Sequence, residues 1–162
     1  MFTLTTSRIT WTNLISIVGL LVGLLAASTG PVAATQPEDV SIDAHTERDC
    51  PGPTSCVFTA TGAITDYGTV TTDFIRATAL SSPTVGTAQY VKTFHGQAGS
   101  LTILLNSSIT STNDPTLWDE QGHWLILSGT GAYARLLGQG EESGVRDFAR
   151  QSLDAVYTGQ VH

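Results

Sequence analysis

The segment Trp124–Gly140, WLILSGTGAYARLLGQG, contains the strongest fold signal in the chain. Its apolar residues 124–127 predict a β-strand that runs directly into a glycine-rich corner. A tight corner between strands needs positive φ or a close backbone approach, which glycine adopts without strain. Four glycines are therefore expected to be structural: Gly129, Gly131, Gly138 and Gly140. Tyr133, at the corner itself, is expected to fill space as a packing plug rather than to contact a ligand.

The same segment matches part of a dinucleotide-binding fingerprint, because an apolar strand leads into Gly129-x-Gly131-x-x-Ala134. That fold is built from βαβ units, and the residues after Gly129 are too few to supply the remaining ones. The segments before it are predicted as strands without crossover helices. A Rossmann fold is therefore not expected, and no cofactor is predicted.

Short segments rich in Thr, Val, Ile and aromatic residues recur after Cys56, each bounded by Gly, Pro, Asn, Asp or Ser. This pattern is typical of an antiparallel all-β domain. The predicted strands cover residues 56–65, 69–80, 85–94, 100–111, 123–128, 137–143 and 153–161. Helix signals are weak and are confined to one turn over 132–137 and a short helix or bulged strand edge over 144–152.

The number of predicted strands favours a small closed β-barrel. Seven or eight successive strands can hide their open edges by closing on themselves. A β-sandwich is the main alternative, but its immunoglobulin types separate their Cys residues by most of the domain, whereas Cys50 and Cys56 are close neighbours. Leu104 falls on the face opposite Leu101 and Leu105, which indicates either an apolar outer surface for a homo-oligomer or a bulge near Asn106.

The glycine segment resembles the signature of the allene oxide cyclase-like and dirigent-like barrels, which are calycin-like. In them a strand ends in Ser/Thr-Gly-Thr-Gly, an aromatic residue follows, and a Gly-x-Gly strand comes next. The order of neighbouring strands is similar too, with Gly99–Ile103 before the motif and Tyr157-x-Gly159 after it. The resemblance covers residues 56–162. It implies binding of an apolar small molecule in the barrel and, for members that are enzymes, cyclisation or coupling guided by shape.

Residues 1–34 have the three parts of a secretory signal peptide: a positive charge at Arg8, an apolar run over 14–27, and small residues before Ala34. A membrane anchor is the alternative interpretation. The run of 14 residues would cover only about 21 Å of a hydrocarbon core roughly 30 Å thick. We expect cleavage near Ala34, a secreted, extracellular product, and no stable membrane insertion after cleavage.

The charge balance argues against nucleic acid as a partner. Without the leader, six basic residues face 14 acidic ones, a formal charge of −8. Phosphate-backbone binding relies on clustered Lys and Arg, and the basic residues here are scattered from Arg48 to Arg150. The acidity is expected to provide solubility outside the cell.

The only two cysteines, Cys50 and Cys56, are expected to form a disulfide in an oxidising compartment. Closing so small a loop contributes roughly 2 kcal/mol in the chain-entropy model. A redox pair or a metal site is the alternative, but the spacing is not Cys-x-x-Cys and no second ligand pair follows. Residues 35–55 are predicted as an extended lead-in containing this loop, and residues 56–162 as the barrel domain.

Candidate residues for chemistry are polar groups that an apolar pocket would position. They are Tyr67, Asp73, Arg76, Tyr90, His95, Arg135, Glu141 and Asp154. The weak catalytic candidates among them are Arg135, Glu141, His95 and Tyr67, and each has a structural alternative. Arg135 stands beside the glycine corner but is equally suited to a salt bridge with Glu141 or Glu142.

The remaining polar motifs yield no further site. His95 is typical of a solvated turn residue, and His45 and His162 are predicted to lie on tails. The four histidines are too scattered to predict a metal site. Asn106-Ser107-Ser108 is an N-glycosylation triplet inside a predicted strand, and no function is assigned to it.

Two functions fit the sequence. One is a ligand-binding or structural barrel that takes a hydrophobic small molecule. The other is a cyclase, isomerase or dirigent-like enzyme that acts on a hydrophobic reactive intermediate by shape. Both require an open space with inward polar side chains in the barrel, so the lumen is the feature that tests them.

Overall fold

The computed structural model describes residues 36–162 apart from 51, 53 and 83, with the backbone but not the side chains of 78–82. The strands are β1 Glu38–Glu47, β2 Cys56–Gly62, β3 Asp66–Ser82, β4 Val85–Gly96, β5 Ser100–Ser111, β6 Leu117–Gly129, β7 Gly138–Asp147 and β8 Ser152–Val161. All eight are antiparallel and follow chain order around a closed barrel, with β8 paired to β1. The predicted small antiparallel barrel is confirmed. The predicted signal peptide lies outside the described residues.

Strand β1 corrects the prediction of an unpacked lead-in. It pairs with β2 on one side and β8 on the other, so the barrel cannot close without it. Its side chains alternate, with Val40, Ile42 and Ala44 buried in the core and Asp43 exposed. His45 belongs to this strand, so its assignment to a tail was wrong. The acidic residues between the apolar ones are simply the outer face of the strand.

The ends of the other strands agree closely with prediction except around β6 and β7. Strand β6 begins at Leu117 rather than at His123, and β7 continues to Asp147, where a helix or bulged edge was considered. The predicted helical turn is a 3-10 turn at Gly131–Tyr133. In the described residues no helix is long and apolar enough to cross a membrane.

The two ends of the barrel differ. At one end, which we call the closed end, the Asp66 carboxylate accepts a hydrogen bond of 2.6 Å from the Tyr133 hydroxyl. It also accepts hydrogen bonds from the backbone N–H groups of Tyr67, Gln97 and Ala98. Burial alone would raise the pKa of Asp66, but the Tyr133 hydroxyl and the three N–H groups outweigh it and lower that pKa to about 2. Tyr133 is buried and acts as the plug of this end.

The glycine corner beside Tyr133 has the geometry that its sequence predicts. Gly131 adopts a φ of 57°, and a Cβ on Gly129 would overlap the carbonyl oxygen of Tyr133. Gly140 and Gly159 serve the core instead. A Cβ on either would lie 2.6 or 2.5 Å from the Trp124 indole, so both positions leave room for that ring inside the barrel.

Apolar side chains fill most of the lumen. Phe58 packs edge-to-face on Phe94, and Phe94 packs in the same way on Tyr157, with ring centroids 5.2 and 5.6 Å apart. Inward residues of the other strands, among them Ile103 and Leu105, complete this core. The barrel is therefore a packed core rather than an open tube over much of its height.

The other end of the barrel, which we call the mouth, contains the disulfide. Cys50 and Cys56 are bonded, with their Cα atoms 5.4 Å apart. The bridge lies in the connection between β1 and β2, not before the first strand as predicted. It fixes one segment of the rim.

The outer face has the apolar patch that Leu104 indicated. Leu104 points outward and has Val91 on β4 and Leu125 on β6 as its cross-strand neighbours. Strand β5 runs through Asn106 without interruption, so the alternative of a bulge there was wrong. The irregularity between β5 and β6 lies at Thr102 and Ile103.

Candidate binding site at the barrel mouth

The mouth opens onto a cavity of about 590 Å³. Its rim is formed by the disulfide loop and by the β7–β8 turn, including Phe148. Tyr90, Lys92, Arg146 and Leu153 line its inner side. Phe74 on β3 packs against the Tyr90 ring, with the centroids 5.5 Å apart. The inner side of the cavity therefore combines aromatic and aliphatic side chains with the cationic groups of Lys92 and Arg146. The rim adds one further cationic residue and three acidic ones: Arg48, Glu47, Asp49 and Asp147.

Inward positions around this cavity contain polar side chains where the rest of the lumen is apolar. Strand alternation directs these side chains inward just as it directs Phe94 and Leu105. We call them the lumen cluster: Tyr90, Lys92, Ser107, Glu120, Glu142, Arg146 and Tyr157. Five strands, β4 to β8, contribute to the cluster.

Glu120 and Arg146 form the best-satisfied pair of the cluster. The Glu120 side chain is 0% exposed, and its Oε2 accepts hydrogen bonds from Arg146 Nε at 2.9 Å and Nη2 at 2.6 Å. Ser107 donates to Oε1 at 2.8 Å. Burial acts to lower the pKa of Arg146, but the neighbouring Glu120 carboxylate reverses this and raises it. The Arg146 guanidinium is therefore held in its charged form.

Lys92 is the only lysine in the chain and lies inside the barrel, 2% exposed. Lysine is seldom buried without a partner. Its Nζ donates one hydrogen bond, of 3.1 Å, to Thr72 Oγ1. Burial lowers the pKa of Lys92 to about 8, against the opposing effect of Glu120 and with a further lowering by Arg146. The amine is mostly protonated at neutral pH but close to losing its proton.

Glu142 and Tyr157 are buried without hydrogen-bond partners. Neither carboxyl oxygen of Glu142 nor the hydroxyl of Tyr157 has a hydrogen-bond partner among the described residues. Burial raises the pKa of Glu142 to about 8, and the nearby Glu120 adds to this while Lys92 and Arg146 oppose it. Burial also raises the pKa of Tyr157 well above its usual value. Glu142 is thus mostly an uncharged carboxylic acid at neutral pH.

Of the sequence-predicted candidates, Tyr90 alone belongs to the lumen cluster. Tyr67, His95, Arg135 and Glu141 are exposed on the outside, Tyr67 by 64%. His95 exchanges hydrogen bonds with its neighbours Thr71 and Ser100. The structure thus brings none of the four weak catalytic candidates into the lumen.

The other candidates are also on the surface. Asp73 and Arg76 are exposed on β3, on either side of a register shift. Asp154 binds His45 across the outer face at 2.6 Å. Of the ion pairs between described residues, none joins Arg135 to Glu141 or Glu142, so the expected salt bridge is not formed.

The alternation of inward and outward side chains along each strand is the signal that could have identified the lumen-cluster residues that the sequence analysis did not select. Lys92 lies two residues before the buried Phe94, and Ser107 two residues after the buried Leu105, so both share the core-facing phase. Glu142 is the inward neighbour of the exposed Glu141, the candidate that the sequence analysis selected. Tyr157 was noted only for its glycine motif.

A second cavity, of about 690 Å³, is a groove on the outer face of the barrel. It is lined by outward residues, among them Gln89, Asn106 and His123, and also by Ser107 and Glu142 of the lumen cluster. The mouth is the better candidate because the buried Lys92 and the Arg146 guanidinium line it beside aromatic and aliphatic side chains. Over the described part of the chain no group of His, Cys, Asp and Glu side chains is arranged to hold a metal ion.

Comparison with known proteins adds no relative. No protein-family model matches the sequence, and no curated protein or solved structure matches it.

Proposed function

We propose that this protein is a secreted barrel, of the allene oxide cyclase-like and dirigent-like type, that binds a hydrophobic small molecule at its mouth. One observation supports this most strongly: the chain's only lysine is buried in the lumen and lines the mouth cavity. Tyr90, Leu153 and Phe148 would contact the apolar body of the ligand. Lys92 and Arg146 would contact its polar end.

The energetic cost of the cluster supports a functional role. A buried polar group without a partner costs about 1–3 kcal/mol, and Glu142 and Tyr157 contribute three such atoms. Buried ion pairs are on average no more stabilising than apolar residues of the same volume. Evolution retains such groups at sites that act on something. The barrel would be more stable with an apolar mouth.

A cavity-filling variant tests the location of the site. Thr72 is exposed and lines the cavity, whereas its neighbour Asp73 is exposed but does not line it. We expect Thr72→Trp to weaken binding of the neutral fluorescent probe N-phenyl-1-naphthylamine about tenfold or more, while Asp73→Trp leaves it within about twofold of wild type. Absence of probe binding by the wild type, or equal affinity of the wild type and Thr72→Trp, contradicts the proposal.

Catalysis as an isomerase or cyclase is the second candidate function, and Glu142 favours it. A carboxylic acid that stays protonated in an apolar site can donate a proton to a developing negative charge, and a nearby amine can remove one. In this role the protonated Glu142 is the general acid, and the minor fraction of Lys92 that has lost its proton is the general base. Tyr157 would position the substrate through its hydroxyl.

Exchange of α-hydrogens in cyclohexanone, followed by NMR in D₂O, tests this second function. We expect the wild type to accelerate the exchange at least tenfold over Glu142→Gln if the acid and the amine act on a carbonyl compound. The exposed neighbour provides a matched control, Glu141→Gln, which is expected to behave as wild type. Equal rates for the wild type and Glu142→Gln would leave binding as the function.

A further inference from the structure

The two cationic side chains of the lumen cluster have hydrogen-bond donors without acceptors. Two of the three N–H bonds of Lys92 and the Nη1 group of Arg146 have no acceptor among the described residues. The carboxyl group of Glu142 and the Tyr157 hydroxyl also lack partners there. The two oxygens of Glu120 are already taken by Arg146 and Ser107. An acceptor-rich group would satisfy this arrangement.

The charges of the cluster also favour an anionic ligand. Arg146 has the Glu120 carboxylate as its partner at 2.6 Å, whereas none of the ion pairs between described residues includes the Lys92 amine. Lys92 therefore contributes one unpaired positive charge to the lumen. The chain as a whole has a formal charge of −7. A buried charge without a counter-charge is costly. A single negative charge on a ligand would neutralise it.

The acidic groups on the rim of the cavity do not cancel this charge. Asp147 accepts hydrogen bonds from the backbone N–H groups of Ala149 and Arg150, and its other oxygen lies 3.7 Å from the Arg150 guanidinium. Glu47 lies 3.4 Å from the His45 ring. Asp49, the third acidic residue of the rim, is exposed, as is the adjacent Arg48. Charges that face solvent at the rim are screened from the lumen.

We propose that the ligand of this mouth is an amphiphilic monoanion, with an apolar body against the cavity walls and a carboxylate-type head bound by Lys92 and Arg146. This inference rests on the proposed binding function and adds the charge class of the ligand. Arg146 offers the planar edge of a guanidinium, which matches the two oxygens of a carboxylate. A cationic ligand would lack a free counter-charge, and a dianion would exceed the single charge to be neutralised.

Raising the pH makes the lumen more negative. Glu142 is faced by Lys92 and Tyr90 from β4, Glu120 from β6, Arg146 from its own strand and Tyr157 from β8. Above about pH 8 Glu142 loses its proton and so does Lys92. These two proton losses make the cluster more negative by two unit charges. Affinity for an anion is expected to fall steeply over this interval, and affinity for a neutral ligand is not.

Two fluorescent probes that differ by one sulfonate allow a direct test. 8-Anilinonaphthalene-1-sulfonate is an anion from pH 6 to pH 9, and N-phenyl-1-naphthylamine is its uncharged counterpart. We expect Lys92→Met to weaken sulfonate-probe binding at pH 6.5 about tenfold and to change neutral-probe binding less than about twofold. Raising the pH of the wild type from 6.5 to 9 is expected to weaken binding of the sulfonate probe and to leave binding of the neutral probe nearly unchanged. This comparison uses only the wild type, so it does not depend on the folding of a variant.

The control removes a positive charge elsewhere. Arg135 is exposed near the closed end, and Arg135→Met is expected to leave both affinities unchanged. If both probes bind but neither Lys92→Met nor the pH change separates them, the monoanion inference is overturned while the binding function stands. If neither probe binds the wild type, the binding function itself fails.

Discussion

At the scale of single residues, the protonation of Glu142 makes the stability of the folded chain depend on pH. Its pKa is raised to about 8 in the folded chain by burial first and by Glu120 second, against an ordinary value of 4.5. A raised pKa means that the folded state holds the proton more tightly than the unfolded state. The stability associated with this proton is fully present below pH 4.5 and is lost as the pH rises through about 8.

Replacing Glu142 by Gln is expected to remove this loss. The free energy of unfolding of Glu142→Gln should exceed that of wild type by about 1–3 kcal/mol at pH 8 and match it within about 1 kcal/mol at pH 4. Urea unfolding at the two pH values measures the difference. Glu141→Gln, one residue away and exposed, should follow wild type at both. A variant that is less stable than wild type at pH 8 would show that the carboxylate is stabilised rather than strained.

At the scale of elements, most strands of the barrel could be predicted from the sequence, but strand β1 could not. Segments rich in Thr, Val, Ile and aromatic residues, each bounded by Gly, Pro, Asn, Asp or Ser, predicted most of the strands, because side-chain composition and turn residues are both local signals. Strand β1 was missed because Asp43 and its acidic neighbours hid the alternation of Val40 and Ile42. Its pairing with β8, over a hundred residues later, is set by closure and has no local signal.

The site was harder to predict than the fold for the same reason. Glu142 and Glu141 are adjacent in sequence, and only strand register decides which of them points inward. The burial of Lys92 could have been predicted from the sequence, because this single lysine lies two residues from the apolar Phe94 and therefore faces the same side of the strand. Its proximity to Glu120 and Arg146 depends on three strands meeting across the lumen, which no local pattern encodes.

Strand β1 provides the prediction at this scale. Ile42 is 2% exposed in the core, and Asp43 next to it is exposed. Ile42→Ala is expected to lower the free energy of unfolding by about 2–4 kcal/mol, because it leaves a cavity in the barrel. Asp43→Ala should change it by less than about 0.5 kcal/mol. Equal effects of the two substitutions in urea unfolding would mean that β1 is not part of the closed barrel.

At the scale of the whole molecule, the two halves of the barrel contribute differently to the free energy of folding. One half contains satisfied interactions, and the other contains buried polar groups that destabilise the fold. Asp66 and Tyr133 seal the closed end with satisfied hydrogen bonds, and aromatic rings fill the lumen above them. The mouth, by contrast, has an open cavity lined by the buried Lys92, and the lumen cluster includes the unpartnered Glu142. We therefore expect the function of the protein to lie in this second half of the barrel.

The single lysine allows this central claim to be measured by NMR. In protein labelled with ¹³C-lysine, Lys92 gives the only lysine side-chain signal. We predict that this signal titrates near pH 8. Saturating 8-anilinonaphthalene-1-sulfonate is expected to shift the signal. The bound probe should also raise the pKa of the amine, because an anion favours the charged form. A Lys92 signal that is unchanged by the probe, with the same pKa in its presence and absence, would contradict the assignment of the mouth as the binding site.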